Sequence, residues 1–297
     1  MTNSASTLQE LVAPLTEAEF LSLLDKREMK FVRGTDRSRF SSLLGWDALL
    51  AMIEQGQYPR GMGDIRLAKE SINVPLDRWL TRNKPDNTIR VDIPKLEEFL
   101  SQGYSLVVTP VERYVPALEA LCASIKSLVS EQIKVGVIVT ACGSGGAFKI
   151  HFDPEDLIIL QVEGSKRWQI FGPPVLNPVI GMPKQEPPPE DKPIFDEILR
   201  PGDFLFLPAG TWHHCQNGPA RSLHLGIFFI PPTSWHAVKS LTSELVCDEA
   251  FRTPLTRLAG EAELDAVEAE VKRTLIDKIN GLNLKDFLGQ WNSKTNA

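Results

Sequence analysis

The chain has 297 residues, 42 % of them hydrophobic, enough to bury a large core as one big domain or as a domain with extensions. Its formal charge of −6 argues against a protein that grips a nucleic-acid backbone, which calls for a basic surplus, and reads as an ordinary solubility feature. The four cysteines (Cys122, Cys142, Cys215 and Cys247) form no C-x-x-C pair and no dense disulfide spacing, which fits a reducing compartment.

In chain order, the opening MTNSASTLQELVAPL lacks a basic stretch followed by an apolar run, so no signal peptide is expected. No segment offers the roughly 18 apolar residues that a membrane span needs, and a cytoplasmic protein is predicted. The first 130 residues read as mostly helical. PLTEAEFLSLLDKR (14–27) and LGWDALLAMIEQG (44–56) have helical hydrophobic spacing, with Gly56 as a stop. A stronger helix is predicted over 113–131, where Val115, Leu118, Leu121, Ile125, Leu128 and Val129 make one apolar stripe. The texture changes near Ile133. IKVGVIVTA (133–141), DLIILQVEG (156–164), KRWQIFG (166–172), DFLFLPAG (203–210) and SLHLGIFFI (222–230) are short apolar runs punctuated by glycine and proline, the mark of an all-β core. The glycine-rich CGSGG (142–146) closes the first, and Glu163-Gly164-Ser165-Lys166 reads as a tight hairpin. PKQEPPPEDKP (183–193) cannot pair inside a sheet and is expected to be a surface loop. From Ser234 onward the pattern is helical again, notably over 241–251 and 262–279. Three regions are therefore expected: a helical N-terminal region (1–131), a β core (132–233) and a C-terminal helical region (234–297).

Five histidines are present, and three of them suggest chemistry. His151 and Asp153 stand two apart at the start of a β region, where alternation sends both side chains to one side. PGDFLFLPAGTWHHC (201–215) brings a short strand, a turn at Pro208-Ala209-Gly210 and then His213 and His214. Two histidines and one carboxylate make the facial triad of non-haem Fe(II) oxygenases, which leaves coordination positions open. Adjacent strand residues point opposite ways, so one of His213 and His214 is the ligand; alternation alone does not choose between them. Lys166, fifteen residues after His151, is a candidate cation for the distal carboxylate of 2-oxoglutarate, with an exposed hairpin tip as its bland alternative.

The runs GSGGAFKIHFDPEDLIILQVEGSKRWQIFGPP (143–174), LRPGDFLFLPAGTWHHC (199–215) and SLHLGIFF (222–229) resemble the JmjC-type Fe(II)/2-oxoglutarate oxygenases, and within them the cupin-4 branch that includes the ribosomal oxygenases. Residues 23–49 and 103–122 resemble segments that precede the barrel in that branch. The resemblance implies a double-stranded β-helix, a form of jelly roll, between helical N-terminal and C-terminal extensions. It implies His151, Asp153 and His213 as iron ligands, with His214 turned away, and Lys166 on the distal carboxylate of the cosubstrate. Fe(II), 2-oxoglutarate and O₂ would then be required. Many relatives add a tyrosine and a hydroxyl residue to that grip; Ile138 and Phe228 stand at those positions here, and Phe148 replaces a threonine found in other JmjC proteins. Thr140, Ser144 and His224 are the candidates to substitute, and Trp168 and Trp212 to wall the barrel. No counterpart of the C-terminal winged-helix region is expected.

Three readings follow from this pattern. The first is a hydroxylase of a protein or peptide side chain, and the second a hydroxylase of a small molecule or amino-acid-derived intermediate. The third is a non-enzymatic cupin that keeps its metal as a staple, against which Lys166 argues. Lysine demethylation shares the chemistry but lacks a chromatin-reading module here. The C-terminal helices are candidates for a homodimer contact.

Overall fold

The computed structural model describes residues 7–58, 63–82, 89–129, 132–141, 146–183, 185–188, 192–255 and 260–293. The first part of the chain carries α1 (Leu8–Val12), α2 (Glu17–Lys26), β1 (Lys30–Val32), α3 (Trp46–Glu54), β2 (Ile65–Lys69), β3 (Ile72–Asn73), β4 (Leu80–Arg82), β5 (Ile89–Val91), α4 (Ile93–Ser101), β6 (Ser105–Val108) and α5 (Pro116–Val129). Then come β7 (Ile133–Thr140), β8 (Asp156–Glu163), β9 (Lys166–Phe171), β10 (Phe195–Leu199), β11 (Phe204–Leu207), β12 (Trp212–Asn217) and β13 (Ser222–Phe229). The helices α6 (Ser234–Leu245), α7 (Glu261–Asn280) and α8 (Leu284–Ser293) follow. The chain forms two compact units, Met1–Pro231 and Pro232–Ala297.

The expectation of a mostly helical N-terminal region is corrected: six short strands lie there. Four of them enter the main sheet, whose order is β1-β11-β8-β13-β7-β6-β2-β3, while β4 and β5 pair apart. These strands have two to five residues, too few for a period to emerge against the neighbouring helices. Helix α2 starts three residues later than its spacing suggested because Thr16 caps it, accepting from Glu19 N while the Glu19 carboxylate accepts from Thr16 N at 2.7 Å. Along α5, Leu118, Leu121 and Ile125 are buried as expected, whereas Leu128 is exposed near the helix end.

The second sheet, β10-β9-β12, faces the first across the interior, and every pairing is antiparallel. The fold is thus a double-stranded β-helix of the cupin/JmjC kind with helical flanking segments. Alternation along the large sheet explains its continuous apolar runs. Val135, Val137, Ile158, Leu160, Phe204, Phe206, Leu225 and Ile227 join the core shared with α1–α5. The intervening Leu157, Ile159, Leu205 and Leu207 face inward and pack with Trp168, Ile170 and Leu199 of the small sheet.

The expected hairpin at Gly164 is also corrected. Gly164 and Ser165 do make a two-residue connection, but β8 pairs with β11 and β13 while β9 pairs with β10 and β12. The chain turns a corner there, from one sheet to the other. Gly164 has φ +61°, and a Cβ on it would lie 1.9 Å from Arg221 O. Gly210 makes the same transfer between β11 and β12 with φ +86°, its Cβ position 1.9 Å from Val175 O. Only glycine fits either corner. Strand β10 was not anticipated, and α1, α4 and α8 lie in regions expected to be helical without having been singled out there. Residues 142–145 of the CGSGG turn, Ser144 among them, lie outside the described residues, as do Lys184 and 189–191 of the proline-rich segment.

In the second unit, Trp291 packs on His236 and Phe287. Along α7 Thr274 is buried, while Ile276 and Ile279 are exposed, as are Trp235 of α6 and Leu284 of α8.

Candidate metal centre and cosubstrate pocket

Between the sheets lies a cavity of about 60 Å³. Its walls come from β7 (Ile138), β8 (Leu157), β9 (Lys166, Trp168), β12 (His213, Cys215) and β13 (His224, Phe228), closed by Ala147, Phe148, His151 and Asp153. Ligand atoms of His151, Asp153 and His213 lie within 4.8 Å of one another, close enough to share one ion. The H-x-D segment is not a strand. It is held by a single bridge, in which His151 N donates to His213 O at 3.1 Å and His213 N donates to His151 O at 2.8 Å. Gly210 N donates to Asp153 O at 2.9 Å, so the corner that delivers His213 also fixes the aspartate backbone.

The histidine tautomers follow from their partners. Nδ1 of His151 lies 2.8 Å from Lys149 O, and Nδ1 of His213 lies 2.9 Å from Thr211 O. A carbonyl only accepts, so each Nδ1 carries the proton and each Nε2 keeps its lone pair for a metal. The two rings are 4.3 Å apart, and His213 Nε2 is 3.8 Å from Asp153 Oδ2. Burial first, then the neighbouring His151, pushes the His213 pKa down to about 3, so the ring is neutral as a ligand must be. Trp168 stacks on His213 at 5.7 Å and Phe148 meets His151 edge-on at 5.3 Å, which limits both rings in orientation. The donor set of two imidazoles and one carboxylate fits a divalent first-row metal.

Lys166 is not an exposed tip. It begins β9 at 2 % exposure, while its neighbour Arg167 is exposed and pairs with Asp196. Lys166 Nζ donates to Thr140 Oγ1 at 3.1 Å and has no carboxylate within 4 Å among the described residues. Burial lowers its pKa. A buried ammonium without a counter-charge costs several kcal/mol, and an anionic ligand entering the cavity would relieve that cost.

Of the other residues singled out in the sequence, His224 and Trp168 line the cavity, and Thr140 is the partner of Lys166. Trp212 lies elsewhere, packed edge-on against Phe152 at 4.9 Å. His214 follows His213 on β12 and pairs with Gln169 of β9. Ile138 and Phe228 both face the cavity. The Phe228 ring fills space over Gly136 and Gly226, where added Cβ atoms would meet it at 3.2 and 2.9 Å. Two glycines inside strands signal such a close approach, and that signal was available in the sequence. Ser105, 2.8 Å from the Thr140 hydroxyl, gave no such signal, since it sits on an unpredicted strand. The Lys149 and Thr211 carbonyls are backbone groups and invisible to side-chain patterns.

Residues 113–237 match the JmjC domain family. The bifunctional lysine-specific demethylase and histidyl-hydroxylase NO66 of Drosophila mojavensis is 26 % identical over 259 residues, covering 85 % of this chain and 28 % of that protein. Ribosomal oxygenase 2 of Rattus norvegicus is 32 % identical over 161 residues, 49 % of this chain and 34 % of that one. The chain thus spans about a third of the length of these curated relatives. Among solved structures, YcfD, a ribosomal oxygenase from Escherichia coli in complex with cobalt and 2-oxoglutarate, aligns with a TM-score of 0.55 at 18 % identity. That alignment covers 90 % of this chain and 67 % of YcfD, and it shows a shared fold. The chain therefore carries a JmjC domain and is homologous to the NO66 and ribosomal-oxygenase proteins.

Proposed function

We propose that this protein is an Fe(II)- and 2-oxoglutarate-dependent oxygenase that hydroxylates a side chain of a protein or peptide. The observation that carries the reading is the pairing, across one cavity, of a three-residue metal-ligand set with a buried lysine that lacks a counter-ion. A structural metal would require the first and not the second.

In this reading His151, Asp153 and His213 hold the iron through Nε2, a carboxylate oxygen and Nε2. Iron with 2-oxoglutarate and O₂ supplies the oxidising power for C–H hydroxylation, with succinate and carbon dioxide as the other products. The remaining residues bind and orient. Lys166 takes the distal carboxylate and thereby aims the keto-acid end at the metal. Trp168, Phe148, Leu157 and Phe228 give the cavity an apolar lining that keeps bulk water away. The Lys149 and Thr211 carbonyls hold the two imidazoles in the ligating tautomer. No general base or nucleophile is assigned.

The names of NO66 and ribosomal oxygenase 2 support a protein substrate. The small, apolar-lined cavity favours the second reading, a small-molecule hydroxylase. The protein is placed in the cytoplasm and off nucleic acid on its charge and cysteine usage; among the described residues no helix is long and apolar enough to cross a membrane. Residues 1–131 support the jelly roll over 132–233, and 234–297 form a homodimer contact, to which exposed Ile276, Ile279 and Leu284 lend support.

The test is to admit O₂ to anaerobic protein holding Fe(II) and 2-oxoglutarate, and to quantify succinate for wild type and Asp153→Ala. Slow substrate-free turnover in the wild type alone is expected. No succinate and no 2-oxoglutarate binding by the wild type would return the lead to a non-enzymatic cupin. Peptide and metabolite panels that accelerate turnover then separate the two substrate classes.

A further inference from the structure

The distal carboxylate of the cosubstrate offers two oxygens, and Lys166 is one donor. Thr140 steadies that ammonium: its oxygen accepts from Lys166 Nζ at 3.1 Å and shares a hydrogen bond with Ser105 Oγ, 2.8 Å away, in which either hydroxyl can donate. The second carboxylate oxygen calls for a further donor facing the same cavity.

His224 sits where that partner is required. On β13 it is the cross-strand neighbour of Ile138, two residues before Thr140 on β7, so all three occupy one face of the sheet. It lines the cavity together with Lys166. The ring is 4 % exposed, and its Nδ1 has no hydrogen-bond partner among the described residues. Buried imidazoles normally have their hydrogen bonds made within the protein. Here Trp168 holds the ring edge-on at 5.5 Å without supplying one. Burial first, and then the nearby Lys166 charge, opposes protonation of the ring, so a neutral imidazole presents one N–H.

We propose that His224 is the second anchor for the distal carboxylate of 2-oxoglutarate, acting with Lys166 as a hydrogen-bond donor. This inference rests on the oxygenase reading and adds to it a two-point grip that selects a dicarboxylic 2-oxo acid over a monocarboxylic one. It also gives a physical role to apolar Ile138, which leaves the adjacent room on the shared face to the imidazole.

The experiment measures binding to the full chain loaded anaerobically with Fe(II), through the visible charge-transfer band that a chelating 2-oxo acid produces. The probes are 2-oxoglutarate and 2-oxobutyrate, which lacks the distal carboxylate. Replacing His224 by leucine or phenylalanine is expected to weaken 2-oxoglutarate about tenfold to a hundredfold, the loss of one hydrogen bond to a charged group, and to leave 2-oxobutyrate unchanged. His224→Gln, which keeps a donor, recovers most of that affinity. In wild type loaded with diamagnetic Zn(II), the His224 ¹⁵N signals are expected to move with 2-oxoglutarate and not with 2-oxobutyrate, a readout that needs no variant to fold. Equal binding by wild type and the apolar variants, parallel loss of both probes, or unmoved ¹⁵N signals on 2-oxoglutarate binding would each overturn the anchor. A wild type that binds neither probe overturns the oxygenase reading itself.

Discussion

Replacing Lys166 by methionine should make the ligand-free protein more stable and destroy its response to 2-oxoglutarate. The ammonium is 2 % exposed, makes one hydrogen bond, to Thr140, and faces no carboxylate within 4 Å among the described residues. Its desolvation is therefore poorly offset. Methionine nearly matches the lysine stem in volume and removes the charge, while Thr140 keeps its bond to Ser105. Apolar replacement of buried ionic groups stabilises by about 1–4 kcal/mol. Allowing for the lost hydrogen bond, about 1–3 kcal/mol is expected, which at about 2–4 °C per kcal/mol for a domain of this size raises Tm by roughly 2–12 °C. Wild type at a hundredfold excess of 2-oxoglutarate over its Kd should gain about 2.7 kcal/mol from binding; the variant should gain almost nothing, since truncating a buried charge partner costs about 2–5 kcal/mol of binding. Thermal unfolding of metal-loaded protein, with and without 2-oxoglutarate, measures both effects. A variant that melts below wild type without ligand, or that keeps the full ligand shift, refutes the claim that Lys166 is an unpaired cation waiting for an anion.

Three other outcomes are expected. Gly164→Ala should cost more than about 3 kcal/mol in urea unfolding, because its Cβ would meet Arg221 O at 1.9 Å with φ at +61°; Gly289→Ala in exposed α8, with nothing within 4 Å, should be neutral or stabilising by up to about 1 kcal/mol. The metal-free protein should lose stability as pH falls from about 6.5 toward 3. The folded state keeps His213 and His224 neutral, with the His213 pKa near 3, whereas unfolded imidazoles protonate below about 6.5. The stabilisation is complete above that pH and declines by about 1.4 kcal/mol per pH unit for each ring. Urea midpoints at pH 7 and pH 5 test this, and His213→Asn should flatten the slope; a flat wild-type profile contradicts it. Finally, Zn(II) or Co(II) at a hundredfold excess over Kd should stabilise wild type by about 2.7 kcal/mol and should not stabilise Asp153→Ala, as calorimetric melting will show.

The β core from 133 to 230, its boundaries within a few residues, and the candidate grouping of an H-x-D with a later histidine pair were legible from residue types and spacing, whereas an inward Lys166 was implied by the resemblance and not by spacing. The legible features depend on local physics: apolar runs of strand length, glycine at positions with positive φ, and residue types with the chemistry to bind iron. The choice of His213 over His214 came from resemblance, because alternation says only that the two diverge. The short strands of the first 130 residues were not legible, since β1, β3, β4 and β5 have two or three residues each and owe their conformation to the strands they pair with.

What the sequence determined by itself was the material of the site; where that material meets was decided by the tertiary structure. Gly164 and Gly210 look like hairpin turns along the chain, yet they hand it from one sheet to the other, because the partners of β8 and β11 lie in one sheet and those of β9 and β12 in the other. Those two transfers send Lys166 inward and set His213 opposite His151. The burial of Lys166 without a counter-charge, the hydrogen bond between Thr140 and Ser105 and the unpartnered Nδ1 of His224 are likewise properties of neighbouring and facing strands. Hydrogen-bond satisfaction depends on which groups meet across a cavity, and Thr140 and Lys166, 26 positions apart on strands of different sheets, come together only once both sheets have closed.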